Sequence, residues 1–307
     1  MGVTFRRCKS SRNGQTTGAH GFSSFKTRMN ITSGWSVQLG NVYKRTMTEI
    51  TQAGTDISDA IVMIGSLAGT YARLTKLAST ADQTAPAPGQ FGFTKGAGTG
   101  ILYVNLNGTD PATQTLNVAY GTLTGLSYEY CDAWGNFAVS GYSYHEGHGI
   151  ALDDFTGQSR IIGCRSWGNE GQGISVNRGD DNLVSGCVIY DNLWPALSFN
   201  RARNNRAVNN IAWNNNLATT HNGFTNGNVA DLIASSMATG NQFINNIVRK
   251  NNRAYGIQFD GSSTGGVATS NYLEGTTARV TGVTETSPDF IDPAPWMNAD
   301  GSIPALI

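Results

Sequence analysis

Apolar and polar residues alternate along much of this chain in short runs, each bounded by glycine or asparagine. The stretch RIIGCRSWGNEGQGISVN at 160–177 contains two such runs, IIGCRSW and GISVN. Alternation with a period of two is typical of β-strands. Between Arg160 and Asn251 no segment has the sustained three-and-four spacing of apolar residues that indicates an amphipathic helix. The pattern therefore predicts short strands joined by tight turns.

The runs recur at a fixed interval. A landmark residue returns at intervals of 187 − 164 = 23, 210 − 187 = 23 and 246 − 210 = 36, the last being one period plus 13 inserted residues. The landmarks are Cys164, Cys187, Asn210 and Asn246, and the residues five positions further on are Asn169, Asn192, Asn215 and Asn251. A period of this size is typical of a solenoid, in which each repeat forms one coil.

The same register extends back to Cys131 with Asn136 and to Cys8 with Asn13, so that six coils share one row of asparagines. An inward-facing asparagine amide can bridge backbone groups of neighbouring buried turns. All four cysteines occupy the landmark, and no Cys-x-x-Cys spacing is present. We therefore expect a stack of free, buried thiols, in preference to a disulfide framework or a metal site.

An asparagine at one point of every coil resembles the asparagine ladder of right-handed parallel β-helix proteins, the pectate-lyase-like superfamily, of the secreted or phage-borne polysaccharide-active type. The resemblance implies an all-β fold: a right-handed single-stranded parallel β-helix of about six recognisable coils. The family's metal-assisted arginine base has no matching motif in this chain, and the aspartate pattern of polygalacturonase-like hydrolases is only faintly echoed by Gly179-Asp180-Asp181. The resemblance therefore implies a fold but assigns no catalytic residue.

Breaks in the period suggest four regions. We expect a first coil at 1–33, an inserted lateral β subdomain at 34–120, the main β-helix at 121–275, and a tail at 276–307 that packs on the last coil. Most of the 13 inserted residues are expected in a loop at 226–241, whose ADLIASSMA could form a short helix. Because the chain enters the solenoid without a capping element, a missing N-terminal domain, further coils or another subunit, as in a homotrimer, is expected to cover that end.

Charge and hydropathy exclude several partners. The 21 basic and 21 acidic residues balance, which argues against a nucleic-acid or anionic-membrane surface. No apolar run is long enough to span a membrane, and the N-terminus has no signal-peptide pattern. An extracellular, secreted or virion-associated location is expected from the family resemblance.

Four aromatic residues stand three positions after the landmark in successive coils: Trp134, Trp167, Tyr190 and Trp213. We call these four residues the aromatic strip. Since the landmark faces inward, alternation directs this position outward, where indole faces can stack on sugar rings of a polysaccharide. Cross-strand packing between coils is the alternative. Arg178 and Arg12 are the candidate cations that would neutralise a charged substrate.

Candidate catalytic residues cluster near one end of the solenoid. Stacking of the first coil on the second would place His20 over His148, and the loop before His148 contains Tyr144 and Glu146. A histidine or tyrosine could abstract a proton in a lyase reaction, and Glu146 with Asp153 could act as the carboxylate pair of a hydrolase.

A second outward position contains polar residues in successive coils, which the repeat assigns as Asp153, Asn177, Asn200, Gly227 and Asp260. Two acidic pairs belong to this region, Asp153-Asp154 and Asp180-Asp181. They could serve acid–base chemistry, bind Ca²⁺ as the one possible cofactor, or cap backbone amides of a turn.

Three functions remain open at this stage, the third being a scaffold without a ligand. The first is a carbohydrate-active protein that binds and cleaves an extracellular polysaccharide as a lyase or glycoside hydrolase. The second is a non-catalytic phage tail (tailspike) or adhesin component that binds a receptor.

Overall fold

The structure is a computed structural model that describes residues 3–13, 21–24, 27–47, 61–65, 71–78, 81–95, 100–120, 124–137, 147–153, 156–221, 224–225, 227–249, 252–274 and 278–286. The chain divides into two compact units, Lys26–Thr122 and the combination of Met1–Phe25 with Leu123–Ile307. The expected boundaries of the insertion were 34 and 120. The strand Thr27–Ile31, which the sequence placed with the first coil, pairs inside the inserted unit.

The larger unit is a parallel β-helix built from three sheets, each of which gains one strand per coil. Every pairing within these three sheets is parallel and joins consecutive coils, and such crossover connections are right-handed in almost all proteins. Sheet A consists of Thr4–Arg6, Ser127–Glu129, Arg160–Ile162, Leu183–Ser185, Arg206–Val208, Gln242–Ile244, Val267–Thr269 and Glu285–Thr286. Sheet B consists of Lys9–Ser11, Asp132–Trp134, Arg165–Trp167, Val188–Tyr190, Ile211–Trp213, Ile247–Arg249 and Tyr272–Leu273. Sheet C consists of Phe22–Ser24, Ile150–Leu152, Ile174–Asn177, Leu197–Asn200, Ala230–Ser235, Tyr255–Phe259 and Ala278–Thr281.

The inserted unit contains two mainly antiparallel sheets around its own core. One sheet orders Ser36–Leu39, Val42–Met47, Gly100–Asn105, Gln90–Lys95 and Thr75–Lys76, and the other orders Thr27–Ile31, Leu116–Tyr120, Ile61–Gly65 and Tyr71–Arg73. A short 3₁₀ helix, Pro111–Thr113, is N-capped by Asp110. The unit's core includes Phe91, Leu102 and Leu116. The expectation of a β insertion here agrees with these strands.

The helix core is filled by one inward residue or two from each short strand. Phe199 and Phe243 stack with ring centroids 5.3 Å apart, and both are fully buried. Full burial of a phenylalanine stabilises a fold by about 1.5–3 kcal/mol, so a row of such residues holds successive coils together. The strands are only three to five residues long in most coils, and the turns between them therefore need their own internal partners.

Side-chain ladders provide these partners at the turn between sheets B and C, and the asparagine ladder expected from the sequence is confirmed. Asn136 Nδ2 donates to Asn169 Oδ1 at 2.7 Å, Asn169 to Asn192 at 2.8 Å, and Asn192 to Asn215 at 2.8 Å. Each amide oxygen also accepts the backbone N–H of the preceding rung, as Asn192 Oδ1 does from Asn169. Asn251, the next predicted rung, lies outside the described residues.

The landmark row lies at the turn between sheets A and B and is inward, as expected. All four cysteines are free, and Cys131, Cys164 and Cys187 are buried. From Cys187 onward the row continues in asparagine: the Cys187 N–H donates to Asn210 Oδ1 at 2.9 Å, and Asn210 Nδ2 donates to Asn246 at 2.9 Å. The row of thiols therefore turns into a second amide ladder.

A third ladder was not expected from the sequence. At the turn between sheets C and A, Asn182 Nδ2 donates to Asn205 Oδ1 at 3.0 Å, and Asn205 donates to Asn241 at 2.9 Å. The Ser159 N–H donates to Asn182 at one end of this row. Each turn type of the solenoid thus has its own column of buried side chains that satisfy the backbone.

The expected helix in ADLIASSMA is wrong. Ala230–Ser235 is a strand of sheet C that pairs with Leu197–Asn200 on one side and Tyr255–Phe259 on the other. From Trp213 to Leu232 the chain has 232 − 213 = 19 steps, against 197 − 190 = 7 in the coil before, so 12 of the 13 extra residues precede this strand. Within that insertion Thr220–His221 pairs with Phe224–Thr225 as an antiparallel hairpin.

Candidate functional site

A groove of about 330 Å³ lies on the outer side of sheet C. Its residues come from five consecutive coils, and since neighbouring strands are about 4.8 Å apart, the groove follows the helix axis for roughly 19 Å. The groove is lined by His148, Gln172, Ser175, Trp194, Ser198, Asn200, Gly227, Asn228, Ile233, Ser235, Ser236, Gln258 and Asp260. We call this site the sheet C groove.

Strand alternation explains which residues reach the groove. Leu197 and Phe199 point into the core, so Ser198 and Asn200 between and after them point outward. Pairing in register then forms two outward rows along the solenoid. One row is Ser175, Ser198, Ile233 and Gln258, and the other is Asn177, Asn200 and Ser235, with Asp260 next.

The second row is the polar position that the repeat predicted, with one correction. Asn200 pairs with Ser235, so Ser235 occupies the place that the sequence assigned to Gly227. The error came from the 12 extra residues that precede this strand. Gly227 also lines the groove, but it does so from the inserted segment before Ala230.

Several buried oxygens beside the groove lack protein partners. Gln172 Oε1, Ser198 Oγ and Asn200 Oδ1 make no hydrogen bond with the described residues, and Asn177 Oδ1, one coil from Asn200, does not either. Gln172 is 7% exposed and Ser198 is 0% exposed. A buried polar atom without a partner costs about 1–3 kcal/mol. The groove wall therefore favours a ligand with hydroxyl donors.

Trp194 provides an apolar wall beside these polar atoms. Its side chain is 3% exposed, and it lines the groove together with Ile233. The Trp194 carbonyl accepts the Asn216 N–H at 3.1 Å, which attaches the inserted segment to this coil. An indole beside amide and hydroxyl groups is a combination that suits the mixed C–H and O–H surface of a sugar.

His148 lies at one end of the groove and is 3% exposed. Its Nδ1 accepts the backbone N–H of Gln172 at 2.9 Å. A nitrogen that accepts a hydrogen bond has no proton, so the neutral ring has its proton on Nε2. In that state the ring has no lone pair left for abstracting a proton.

Asp260 lies at the other end, and its carboxylate is held by its own turn and by the preceding coil. Oδ2 accepts the Ser236 N–H at 2.5 Å, and Oδ1 accepts the Ser262 N–H at 3.1 Å and the hydroxyls of Ser262 and Ser263, each at 2.8 Å. Burial alone would raise the pKa of Asp260, but these hydrogen bonds outweigh it and lower the pKa. Asp260 therefore brings a fixed negative charge to the groove.

Asp231 is a buried acid two positions before the groove residue Ile233. It is 0% exposed, and neither carboxylate oxygen has a hydrogen-bond partner among the described residues. Burial raises the pKa of Asp231 to about 7, although the positive charge of Arg253 opposes part of that shift. Asp231 is not among the residues that line the groove.

The aromatic strip is present in register on the outer face of sheet B. Trp134 pairs with Trp167, Trp167 with Tyr190, and Tyr190 with Trp213. The first three rings are nearly parallel, with centroids 5.0 and 5.6 Å apart, whereas Trp213 is tilted by 53° at 6.4 Å.

Parallel rings at this spacing must overlap face to face, because two coplanar rings side by side would collide. Both faces of Trp167 are therefore covered by its neighbours, and all four rings are half-buried. Arg165 adds to this packing: its guanidinium lies 5.8 Å from the Trp167 ring and forms two 2.7 Å hydrogen bonds with Asp132. Sugar binding by the strip stays a prediction, and the geometry favours the alternative of packing between coils.

The remaining predicted residues lie around the groove or outside the described part of the chain. Asp153 follows the strand Ile150–Leu152 at the position next to Asn177, but does not line the groove. Arg178, Asp180 and Asp181 belong to the turn after Ile174–Asn177, and Arg12 is exposed in the first coil. His20, Tyr144, Glu146 and Asp154 lie outside the described residues.

No group of three or more His, Cys, Asp or Glu side chains close enough to hold a metal ion occurs in the described ranges. Since Asp154 is outside those ranges, Ca²⁺ binding by the acidic pairs stays a prediction. A helix long and apolar enough to cross a membrane is likewise absent from the part of the chain that the structure describes.

The sheet C groove itself was not expected from the sequence. A usable signal was present, because Ser175, Ser198, Asn177 and Asn200 recur at the 23-residue period as outward polar residues. Of the two predicted catalytic residues that the structure describes, His148 and Asp153, His148 lines the groove.

Residues 93–230 match the family model described as "Right handed beta helix region". With the strand register above, this match confirms the resemblance to right-handed parallel β-helix proteins. No curated protein matches the chain.

Similar solved structures include XylC in complex with xylose, with 10% identity, a TM-score of 0.35, and coverage of 91% of this chain and 57% of XylC. The A-module of the mannuronan C-5 epimerase AlgE4 from Azotobacter vinelandii has 12% identity, a TM-score of 0.39, and coverage of 54% and 52%. A double mutant of the periplasmic alginate epimerase AlgG has 14% identity, a TM-score of 0.37, and coverage of 54% and 41%. The chain thus spans between two fifths and three fifths of these proteins.

Proposed function

We propose that this chain, a right-handed parallel β-helix protein, binds an extracellular polysaccharide along the sheet C groove and cleaves it as a lyase or glycoside hydrolase. The observation that carries the proposal is the row of buried oxygens without protein partners, Gln172 Oε1, Ser198 Oγ and Asn200 Oδ1, beside Trp194. Sugar hydroxyls can donate to these oxygens while ring C–H groups contact the indole.

The shape of the groove supports a polymer. Its lining comes from five coils, so a ligand that contacts both His148 and Asp260 must extend along the axis for roughly 19 Å. A single sugar would reach the residues of only one or two coils. The repeated outward hydroxyl and amide groups match the repeated hydroxyls of a chain of sugars.

Cleavage needs an acid or base that reaches the groove. His148 lines it, and Glu146 stands two positions earlier in the sequence. As the His148 Nδ1 already accepts a hydrogen bond, we assign His148 to positioning. Glu146 with Asp153, which lies next to Asn177 outside the lining itself, remains the candidate carboxylate pair of a hydrolase.

The alternative is a non-catalytic phage tail or adhesin component that binds a polysaccharide receptor. This alternative is favoured by Asp260, the one carboxylate among the groove-lining residues that the structure describes. Three hydrogen bonds from Ser262 and Ser263 and one from the Ser236 N–H of the preceding coil occupy its oxygens. An extracellular or virion-borne location, and assembly as a homotrimer, belong to this proposal in either form.

The experiment is a calorimetric titration of the protein with a panel of soluble polysaccharides. Parallel assays detect new reducing ends and unsaturated uronates. Ser198→Ala and Trp194→Ala should each weaken binding about tenfold, which corresponds to about 1.4 kcal/mol. Ser185→Ala, on the outer face of sheet A, is the matched control and should bind like the parent.

Binding without new chain ends would leave the receptor-binding form of the proposal and remove the enzyme form. Binding that is unchanged in both groove variants would overturn the assignment of the groove. Absence of binding to every polysaccharide would overturn the proposed function itself.

A further inference from the structure

The described lining of the sheet C groove contains a negative charge but no positive charge. Among the lining residues that the structure describes, only Asp260 has a fixed charge, and none is a lysine or an arginine. The buried atoms that lack partners are oxygens: those of Gln172, Ser198 and Asn200, with Asn177 beside them. The described part of the wall thus offers neutral hydrogen-bonding groups and one negative charge, with no cation to match an anionic ligand.

A carboxylate in this groove would be poorly placed. Serine hydroxyls and amide N–H groups of the lining could donate to it, but no cation among the described lining residues would offset the loss of its hydration, which costs several kcal/mol. Asp260 would add repulsion, because its hydrogen bonds keep it ionised. A hydroxyl has the opposite properties, since it can donate to the buried oxygens and brings no charge.

The two arginines that follow sheet C strands near the groove, Arg178 and Arg201, do not add a positive charge to its lining. Arg178 and Arg201 directly follow Asn177 and Asn200, and both adopt a left-handed backbone conformation, with φ of 62° and 53°. Neither residue is part of the groove lining. Their backbone N–H groups donate to Asn200 and Ser235 carbonyls in the next coil at 2.8 and 2.9 Å, so these positions continue the turn.

Given the proposed function, on which this inference rests, we propose that the polymer segment bound in the sheet C groove is neutral, a chain of uncharged hydroxyl-rich sugars and not a polyuronate. One consequence concerns the chemistry. A lyase removes a proton from the carbon next to a uronate carboxylate and expels the glycosidic oxygen, which a neutral chain does not permit. Cleavage is then hydrolytic: the sugar carbon gains the hydroxyl of a water molecule, and the leaving oxygen gains its proton.

The test uses pairs of oligosaccharides that differ only in charge. Oligouronates of defined length are compared with their carboxyl-reduced forms, in which each carboxylate is a CH₂OH group and every linkage is kept. The neutral member of a pair should bind at least about tenfold more tightly at low salt. Added salt should strengthen binding of the acidic member and leave the neutral member unchanged, because screening weakens the repulsion.

Two variants test the stated cause. Asp260→Asn should raise the affinity for the acidic member several-fold without changing the neutral one. Because Asp260 also holds a turn, Asn200→Lys is the second variant: a cation placed in the groove should narrow or reverse the preference. Ser185→Lys on sheet A is the control for a general charge effect and should leave the preference as in the parent.

Equal or tighter binding of the acidic member by the parent would overturn this inference and leave the proposed function standing. An unchanged preference in Asn200→Lys would overturn the electrostatic cause. Failure of both members of every pair to bind would instead overturn the proposed function, and the inference with it.

Discussion

The backbone N–H of Gln172 donates to Nδ1 of His148 over 2.9 Å, and both residues line the sheet C groove in adjacent coils. This bond gives His148 a structural role. It fixes the ring orientation and the proton position in the neutral state, and it satisfies an amide that would otherwise be buried without an acceptor. His148, one of the candidate catalytic residues predicted from the sequence, is therefore a hydrogen-bond partner of the next coil.

His148→Ala should lower the free energy of unfolding by about 1–3 kcal/mol, because the buried Gln172 N–H loses its acceptor. His148→Asn can keep an acceptor near the same place and should recover part of the loss. Urea denaturation of the three proteins measures the effect. If His148→Ala were as stable as the parent yet inactive on a polysaccharide substrate, the role would be chemical and not structural.

Trp167→Ala and Trp194→Ala should separate packing from binding. Trp167 is covered on both faces by Trp134 and Tyr190, so its removal should lower the unfolding free energy by about 1–3 kcal/mol and leave polysaccharide affinity unchanged. Trp194 lines the groove, and its removal should reduce affinity. Thermal melts and calorimetric titrations give the two readouts. The reverse result, with binding lost only in Trp167→Ala, would restore the aromatic strip as the binding platform.

Asp231 should impose a pH dependence on stability. Its folded pKa of about 7 lies above the ordinary value of 3.8, so the folded state favours the neutral acid. Its contribution to stability is complete below about pH 3.9 and is lost as the pH rises through about 7, a change on the order of 4 kcal/mol. Asp231→Asn removes the titration.

Unfolding free energies of the parent and Asp231→Asn, measured between about pH 4 and about pH 8, should diverge as the pH rises, with the variant the more stable at the alkaline end. For Asp260→Asn we expect the opposite pH dependence of the unfolding free energy. The lowered pKa of Asp260 means that its contribution is present above the unfolded value and disappears in acid. A parent-to-variant difference for Asp231 that does not change with pH would contradict the assigned burial.

Substitution of an asparagine in the middle of the asparagine ladder should lower the unfolding free energy more than substitution at its end. Asn192 is 0% exposed, donates to Asn215 Oδ1 and the Ser166 carbonyl, and accepts from Asn169 N and Nδ2. Asn192→Ala leaves several of these groups unpaired and should lower the unfolding free energy by at least about 3 kcal/mol. Asn13→Ala, at the half-buried first rung, should have a smaller effect. Similar losses at both positions, by chemical denaturation, would argue against burial as the cause.

Asn169, Asn192 and Cys187 show why the fold could be predicted. A backbone amide buried in a turn requires the same short polar or small side chain in every coil, and this requirement leaves a 23-residue period in the sequence. The third ladder, through Asn182 and Asn205, has the same period and was available to the same reasoning.

The groove is different, because outward residues are not constrained by the fold. The strand at Ala230–Ser235 could not be recognised: its residues are almost all buried, including Asp231, so the alternation that identifies a half-exposed strand is absent. Without that strand the partner of Asn200 was misassigned. The aromatic strip was found in its correct register, but whether its rings present faces or edges depends on side-chain torsions that spacing does not reveal.

The reactivity of the buried thiols of Cys131, Cys164 and Cys187 can be used to measure when neighbouring coils separate. Hydrogen bonding from the neighbouring thiol and burial raise the pKa of Cys131, so that it does not form the reactive thiolate while the coil is closed. The three cysteines occupy consecutive coils in the first half of the solenoid, and coils in such arrays open in contact with their neighbours. A thiol-specific label applied under native conditions should therefore modify them only as fast as those coils separate. The order in which the three cysteines are labelled should show in which direction along the solenoid the coils separate.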